Sequence, residues 1–126
     1  MFKRIDHIAL SVKNRELSIQ FYENNFGFKQ YFEHDVPDVP NIEKVTYLQL
    51  GDTVLELENW RDEFLNSGYH FCLISDDFEA DYDRLVKAGV AVVTPPHFPA
   101  PRTPREKGWK RVVFKGPDNE LIEFRG

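Results

Sequence analysis

The sequence predicts an α+β fold made of two βαβββ modules, and three observations support this prediction. Apolar stretches and loop-forming residues follow the order strand, helix, strand, strand, strand, and the same order begins again near residue 69. A glycine follows each helical segment, where a left-handed residue commonly ends a helix. The length of 126 residues suits one compact domain. We therefore expect a single domain over residues 1–126, with one module at 1–59 and the other at 68–126.

The first strand and the first helix are indicated by a change of apolar pattern. Residues 5–12 are mostly apolar, which predicts a strand buried on both faces. Asn14 is suited to cap the helix that follows, and Gly27 is suited to end it. An apolar stripe at helical spacing is formed by Leu17, Phe21, Tyr22 and Phe26.

Three further strands complete the first module, at residues 28–33, 45–50 and 53–58. Pro37 and Pro40 predict a loop before the second of these, because proline cannot donate to a strand ladder. Gly51 and Asp52 are typical of the tight turn of a hairpin. The polar residues 59–68 then predict a linker.

The second module repeats this order. Residues 69–75 predict a buried strand, Asp76 or Asp77 is suited to cap a helix, and Gly89 to end it. The remaining strands are expected at residues 90–94, 110–115 and 120–125. Five prolines predict a long irregular loop over residues 95–107. Cations cluster in or beside this loop, which would suit an anionic substrate if the loop is a lid, although a solvated loop is the default: Arg102, Arg105, Lys107 and Lys110.

Composition excludes several classes of protein. A net charge of −5 with mixed charges gives no basic footprint for nucleic acid. No apolar run approaches the roughly 20 residues that span a bilayer, and the first residues do not resemble a signal peptide. The single cysteine, Cys72, permits no internal disulfide, so we expect a cytoplasmic protein in which Cys72 is a small buried hydrophobe.

Four residues with metal-binding side chains occupy the first and last predicted strands of the modules: His7, Glu56, His70 and Glu123. Two imidazoles and two carboxylates are ligands that a borderline divalent metal accepts. Strand alternation places Glu56 opposite Leu55 and Leu57, so the leucines can pack while the carboxylate faces the other way. Alone, each histidine is more often a hydrogen-bonded core residue and each glutamate more often faces solvent. Taken together, the four residues predict a metal site.

The two other histidines, His34 and His97, lie in or beside proline-rich segments and are expected at the surface.

Residues 5–12, Phe26-Gly27-Phe28 and residues 116–124 resemble the vicinal oxygen chelate (VOC) superfamily, which includes glyoxalases, bleomycin-resistance proteins and dioxygenases. The resemblance covers essentially the whole chain and implies the glyoxalase-like fold, in which two βαβββ modules form a cup around a divalent metal. The resemblance assigns the four ligand positions to His7, Glu56, His70 and Glu123. Ni or Zn is the implied ion, with Mn, Co and Fe as alternatives.

Within this superfamily, the His-Glu-His-Glu set is most similar to bacterial glyoxalase I. That likeness implies a metal-dependent lyase or isomerase, of the lactoylglutathione lyase type, that transfers a proton next to a metal-bound carbonyl. Glu123, and as an alternative Glu56, is the implied general base. Bacterial glyoxalases carry an arginine that binds glutathione where this chain has Ser11, so the likeness does not extend to glutathione binding.

The resemblance also implies a homodimer, with a cup built from halves of two chains, whereas other branches close the cup within one chain. The partner implied is a small-molecule substrate. Three alternative functions share this fold: a non-catalytic antibiotic-binding or resistance protein, a metal-dependent thiol transferase and an extradiol dioxygenase.

Overall fold

The computed structural model describes residues 1, 5–61, 70–101 and 103–126, and it confirms the α+β class with two βαβββ modules. The first module contains β1 (Ile8–Val12), α1 (Arg15–Phe26), β2 (Lys29–His34), β3 (Ile42–Leu50) and β4 (Thr53–Trp60). The second contains β5 (His70–Ile74), α2 (Phe78–Lys87), β6 (Ala91–His97), a short 3-10 helix (Pro104–Glu106), β7 (Arg111–Lys115) and β8 (Leu121–Arg125). Neither helix is long and apolar enough to cross a membrane in the part of the chain described.

The chain separates into two compact units, Met1–Asn66 and Ser67–Gly126, and each has its own sheet. The strand orders are β1-β4-β3-β2 in unit 1 and β5-β8-β7-β6 in unit 2. In both sheets the first strand pairs in parallel with the last strand of the same module. The predicted module limits at residues 59 and 68 stay a prediction, and most of the predicted linker lies outside the described residues.

The helix of unit 1 begins and ends where the sequence indicates. The Asn14 side chain accepts a hydrogen bond from the backbone N–H of Leu17 at 3.1 Å, which caps α1. Gly27 has a φ of 76°, a left-handed conformation that costs glycine little. The Tyr22 ring on α1 is fully buried against the sheet, as are Leu55 and Leu57 of β4. Burying each leucine side chain stabilises the fold by about 1.5–3 kcal/mol. Because these leucines face the core, the opposite face of β4, with Glu56, is turned away from it.

The helix of unit 2 follows the same rules. The Asp77 carboxylate accepts from the backbone N–H of Ala80 at 3.2 Å, so Asp77 is the cap. The helix covers one face of the sheet, where the rings of Phe78 and Phe124 lie 4.9 Å apart. Glu123, the residue before Phe124, therefore points to the other face.

Several predictions about elements and burial are wrong. The strand predicted over residues 5–12 begins only at Ile8, and Ala9 in it is exposed. Leu17 is 52% exposed and does not share the buried face of α1. Cys72 is exposed, because it lies on the face of β5 opposite the buried Phe71.

The predicted loop over residues 95–107 also begins too early, because β6 continues through Pro95 and Pro96 to His97. Two register shifts interrupt its pairing with β7, and β6 is an edge strand, where proline is tolerated.

Candidate metal centre

The first candidate ligand pair, in unit 1, is produced by the parallel register of β1 and β4. Ala9 lies opposite Glu56, so both side chains project from the same face of the sheet. His7 is two residues before Ala9, and its Nε2 atom lies 3.0 Å from Oε2 of Glu56. The His7 side chain is 42% exposed and that of Glu56 is 15% exposed, so both remain accessible to a ligand.

Asp6 orients the His7 ring from the other side. Its Oδ2 atom lies 3.0 Å from Nδ1 of His7 and accepts a hydrogen bond from the Nδ1–H, which leaves Nε2 directed at Glu56. This hydrogen bond raises the pKa of His7, with smaller increases from Glu56 and Glu58, while partial burial lowers it. A carboxylate on the outer nitrogen is the usual support of a metal-binding histidine.

The second candidate pair, in unit 2, repeats this register. Cys72 lies opposite Glu123 in the parallel pairing of β5 and β8, and His70 is two residues before Cys72. The Nε2 atom of His70 lies 3.8 Å from Oε2 of Glu123. The repeat seen in the sequence is therefore also a repeat of strand register.

Two arginines distinguish this second pair from the first. Arg125 donates from Nε to Oε1 of Glu123 at 2.6 Å, and Arg111 Nη2 lies 2.9 Å from Oε2. Burial raises the pKa of the Glu123 carboxyl, but the hydrogen bonds and charges of Arg111 and Arg125 outweigh it and hold this pKa below its usual value. Glu123 is therefore a buried, charge-compensated carboxylate.

Glu106 completes a buried charge cluster with these three residues. Its Oε2 atom lies 3.3 Å from Nη1 of Arg125, and its side chain is 6% exposed. Arg111 and Arg125 face each other across β7 and β8, where two like charges repel unless carboxylates lie between them. Arg111, Arg125 and Glu106 were not predicted as site residues from the sequence.

Two of the cations in and beside the predicted loop contact other side chains. The Arg105 guanidinium lies over the Trp109 ring at 5.3 Å, and Lys110 pairs with Glu79. Arg102 lies outside the described residues.

His34 was expected at the surface, but the structure places it half-buried at the end of β2. Its Nδ1 atom lies 2.9 Å from the carbonyl oxygen of Asp35, so Nδ1 carries the proton and Nε2 accepts from the Tyr47 hydroxyl at 3.2 Å. Tyr47 lies opposite Glu56 in the register of β3 and β4, so this contact borders the His7–Glu56 pair. His97 ends β6 and is also half-buried.

The structure thus brings the four predicted ligands together as two pairs, one in each unit. Among the described residues, no group of three or more His, Cys, Asp or Glu side chains is gathered closely enough to hold a metal ion by itself. Each pair nevertheless directs an imidazole Nε2 at a carboxylate oxygen, and this donor chemistry fits a borderline divalent ion. His7 also has the supporting carboxylate that such a ligand usually requires.

Comparison with known proteins gives a match over nearly the whole chain. A family model described as the Glyoxalase/Bleomycin resistance protein/Dioxygenase superfamily matches residues 4–124. The uncharacterized protein YwbC of Bacillus subtilis is 28% identical over 130 aligned residues, which cover 98% of both chains. The metallothiol transferase FosB of Lysinibacillus sphaericus is 30% identical over 95% of this chain and 79% of its own.

Solved structures share the fold at lower identity. A glyoxalase family protein from Enterococcus faecalis superposes with a TM-score of 0.82 at 23% identity, covering 99% of this chain and 98% of the other. A FosX fosfomycin resistance protein variant from Listeria monocytogenes, complexed with Mn(II) and a dihydroxypropylphosphonic acid, gives a TM-score of 0.69 at 19% identity, covering 98% and 92%.

Proposed function

Because the chain belongs to the glyoxalase/bleomycin resistance protein/dioxygenase superfamily, we propose that it is a divalent-metal-dependent enzyme acting on a small molecule. The proposed reaction is proton transfer next to a carbonyl, as in a lyase or isomerase of the glyoxalase type. The observation that carries the proposal is the 3.0 Å approach of Oε2 of Glu56 to Nε2 of His7, supported on the outer side by Asp6. This contact places an imidazole nitrogen and a carboxylate oxygen side by side, two donors that a borderline divalent ion accepts.

The proposed ligands are His7, Glu56, His70 and Glu123, with Ni or Zn as the ion and Mn, Co and Fe as alternatives. When bound, such an ion supplies Lewis-acid polarisation of the substrate oxygens. His7 and His70 contribute neutral nitrogen ligands. Glu56 would offset part of the positive charge of the ion, whereas the charge of Glu123 is already shared with Arg111 and Arg125.

The contacts of the two glutamates differ, and this difference favours Glu56 as the general base. Both oxygens of Glu123 accept from guanidinium groups and its side chain is 4% exposed, so one lone pair on each oxygen is engaged and the carboxylate is shielded from a substrate. Glu56 is more accessible, and only one of its oxygens lies near His7. We therefore assign the movement of the carbon-bound proton to Glu56, and a mainly ligand-holding role to Glu123, which the family resemblance had made the first choice for the base.

The first experiment measures metal binding by the full chain after chelator treatment. Titration with Ni²⁺ and Zn²⁺ in a calorimeter is expected to show binding that weakens at least about 100-fold in His7→Ala and in His70→Ala. Glu43→Gln serves as the control, because Glu43 is an exposed glutamate of β3. No measurable binding by the unaltered chain, and no rise in its melting temperature with either ion, would refute the proposal.

A second experiment tests the reaction. In deuterated water, the metal-loaded chain is expected to exchange the carbon-bound proton of a hemithioacetal formed from a 2-oxoaldehyde and a small thiol. Glu56→Gln is expected to lower this exchange by about 100-fold or more, within the range that general bases contribute. Exchange that persists undiminished in Glu56→Gln would exclude Glu56 as the base.

A metal-dependent thiol transferase is the second candidate, and the 30% identity to a metallothiol transferase favours it. The resemblance assigns this branch three ligands, at the positions of His7, His70 and Glu123, so Glu56→Gln should leave its activity intact. The assay follows the metal-dependent loss of free thiol from L-cysteine in the presence of fosfomycin. Thiol loss that survives Glu56→Gln would favour the transferase over the lyase.

A further inference from the structure

Three basic side chains form a row across the sheet of unit 2, on the face that carries His70 and Glu123. The register places His97 of β6 opposite Arg111 of β7, and Arg111 opposite Arg125 of β8. Glu123 is two residues before Arg125 and shares its face. Any ligand held by Glu123 would therefore lie beside this row.

The members of this row differ in how much of their charge is already compensated. Arg125 is 10% exposed and contacts two carboxylates, Glu106 and Glu123. Arg111 is 26% exposed and forms an ion pair with Oε2 of Glu123. His97 directs Nδ1 at the carbonyl oxygen of Pro95, 3.0 Å away. Arg111 is thus the more accessible cation of the row.

The charges of the cluster balance without a metal ion. Arg111 and Arg125 carry two positive charges, and Glu106 and Glu123 carry two negative charges. A divalent cation held by Glu123 would compete with Arg111 for this carboxylate and would leave the cluster with excess positive charge. An anionic group beside Arg111 would restore the balance, and a planar guanidinium matches a carboxylate or phosphonate through two parallel hydrogen bonds.

We propose that Arg111 binds an oxyanion group of the substrate, and that metal and anion bind cooperatively because both act on Glu123. The substrate class is a small molecule with a carboxylate or phosphonate near its metal-binding oxygens. This inference rests on the proposed metal site and adds the substrate's charge and the residue that recognises it. The loop cations Arg105 and Lys110 are less suitable, since they already contact Trp109 and Glu79.

The first test looks for tighter metal binding, a result that a damaged fold would not produce. Arg111→Met removes a positive charge next to a metal ligand, so Zn²⁺ or Ni²⁺ is expected to bind about tenfold more tightly in the calorimeter. Arg111→Lys keeps the charge and is expected to stay within about threefold of the unaltered chain. Arg84→Met is the matched control, because Arg84 pairs with Asp81 on α2, and it is expected to change the affinity less than about twofold. Unchanged or weaker metal binding by Arg111→Met overturns the inference.

The second test measures the coupling between metal and anion at constant ionic strength. Methylphosphonate and acetate are the probes, with chloride as the reference, and their separate titrations distinguish a phosphonate from a carboxylate site. At least one of them is expected to tighten metal binding to the unaltered chain, and the metal is then expected to tighten that anion by the same factor. Arg111→Met should abolish the effect.

Failure of this inference can be distinguished from failure of the proposed function. If metal binds and depends on His70 but neither anion acts through Arg111, the inference is overturned while the metal site stands. If the unaltered chain binds no metal, the proposed function itself is overturned and the inference with it.

Discussion

The Nη1 atom of Arg125 lies 3.3 Å from Oε2 of Glu106, and both side chains are buried. This contact ties the 3-10 helix after β6 to the strand that carries Glu123, because Arg125 also donates to Glu123. One arginine therefore positions a proposed metal ligand and anchors an otherwise irregular segment.

Replacing Glu106 by alanine should destabilise unit 2. The change leaves a buried guanidinium with one fewer acceptor, and the free energy of unfolding is expected to fall by about 1–3 kcal/mol. Urea unfolding followed by circular dichroism measures this loss. Glu43→Ala, at an exposed position of β3, is the control and should cost less than about 0.5 kcal/mol. Equal losses in the two variants would show that the Glu106–Arg125 contact contributes nothing.

A larger side chain at Gly116 is expected to destabilise unit 2. A Cβ atom there would collide with the carboxyl group of Glu120, which is 1% exposed and accepts from the backbone N–H of Asp118 at 2.8 Å. Gly116→Ala should lower the free energy of unfolding by about 1–3 kcal/mol through overpacking. The double variant with Glu120→Ala removes the collision, so its loss should be smaller than the sum of the single losses. Additive losses would contradict the proposed collision.

Local features of the chain were sufficient to predict the module order. Asn14 and Asp77 cap the two helices as expected, because capping depends on residues within one turn. Strand alternation also placed Glu56 correctly, since the buried Leu55 and Leu57 fix the face of β4. The parallel pairing of the first and last strands, with matching register in the two modules, was not predicted from the sequence.

The charge cluster of unit 2 was missed for a physical reason. Glu106 meets Arg125 only because the chain returns after 19 residues, and Arg111 meets Glu123 across a strand pair. Such contacts depend on register and on the path of the 3-10 helix, which no local pattern specifies. His34 was misplaced similarly, because its partner Tyr47 comes from the neighbouring strand.

The Asn14 cap provides a test of unit 1 that is independent of any metal. Asn14→Ala removes the acceptor for the Leu17 N–H and should cost about 1 kcal/mol of unfolding free energy. Asn14→Asp and Asn14→Ser keep a side-chain oxygen at this position and should stay within about 0.5 kcal/mol of the unaltered chain. A loss shared by all three variants would point to a role of the amide other than capping.

The last prediction concerns the carboxylate behind His7. Asp6 accepts a hydrogen bond from the Nδ1–H of His7 at 3.0 Å and would thereby direct Nε2 to the proposed metal, but its own side chain is 83% exposed. Loss of a residue that hydrogen-bonds a metal-binding histidine typically weakens metal affinity 10- to 100-fold. Because Asp6 is exposed, the loss expected in Asp6→Ala lies near the lower limit, about tenfold. Asp6→Asn keeps a carbonyl oxygen for the Nδ1 proton and should lose less. Calorimetric titration with Zn²⁺ measures both, with Asp38→Ala in the exposed loop after β2 as the charge-matched control. If Asp38→Ala weakens metal binding as much as Asp6→Ala, net charge and not the orientation of His7 determines the effect.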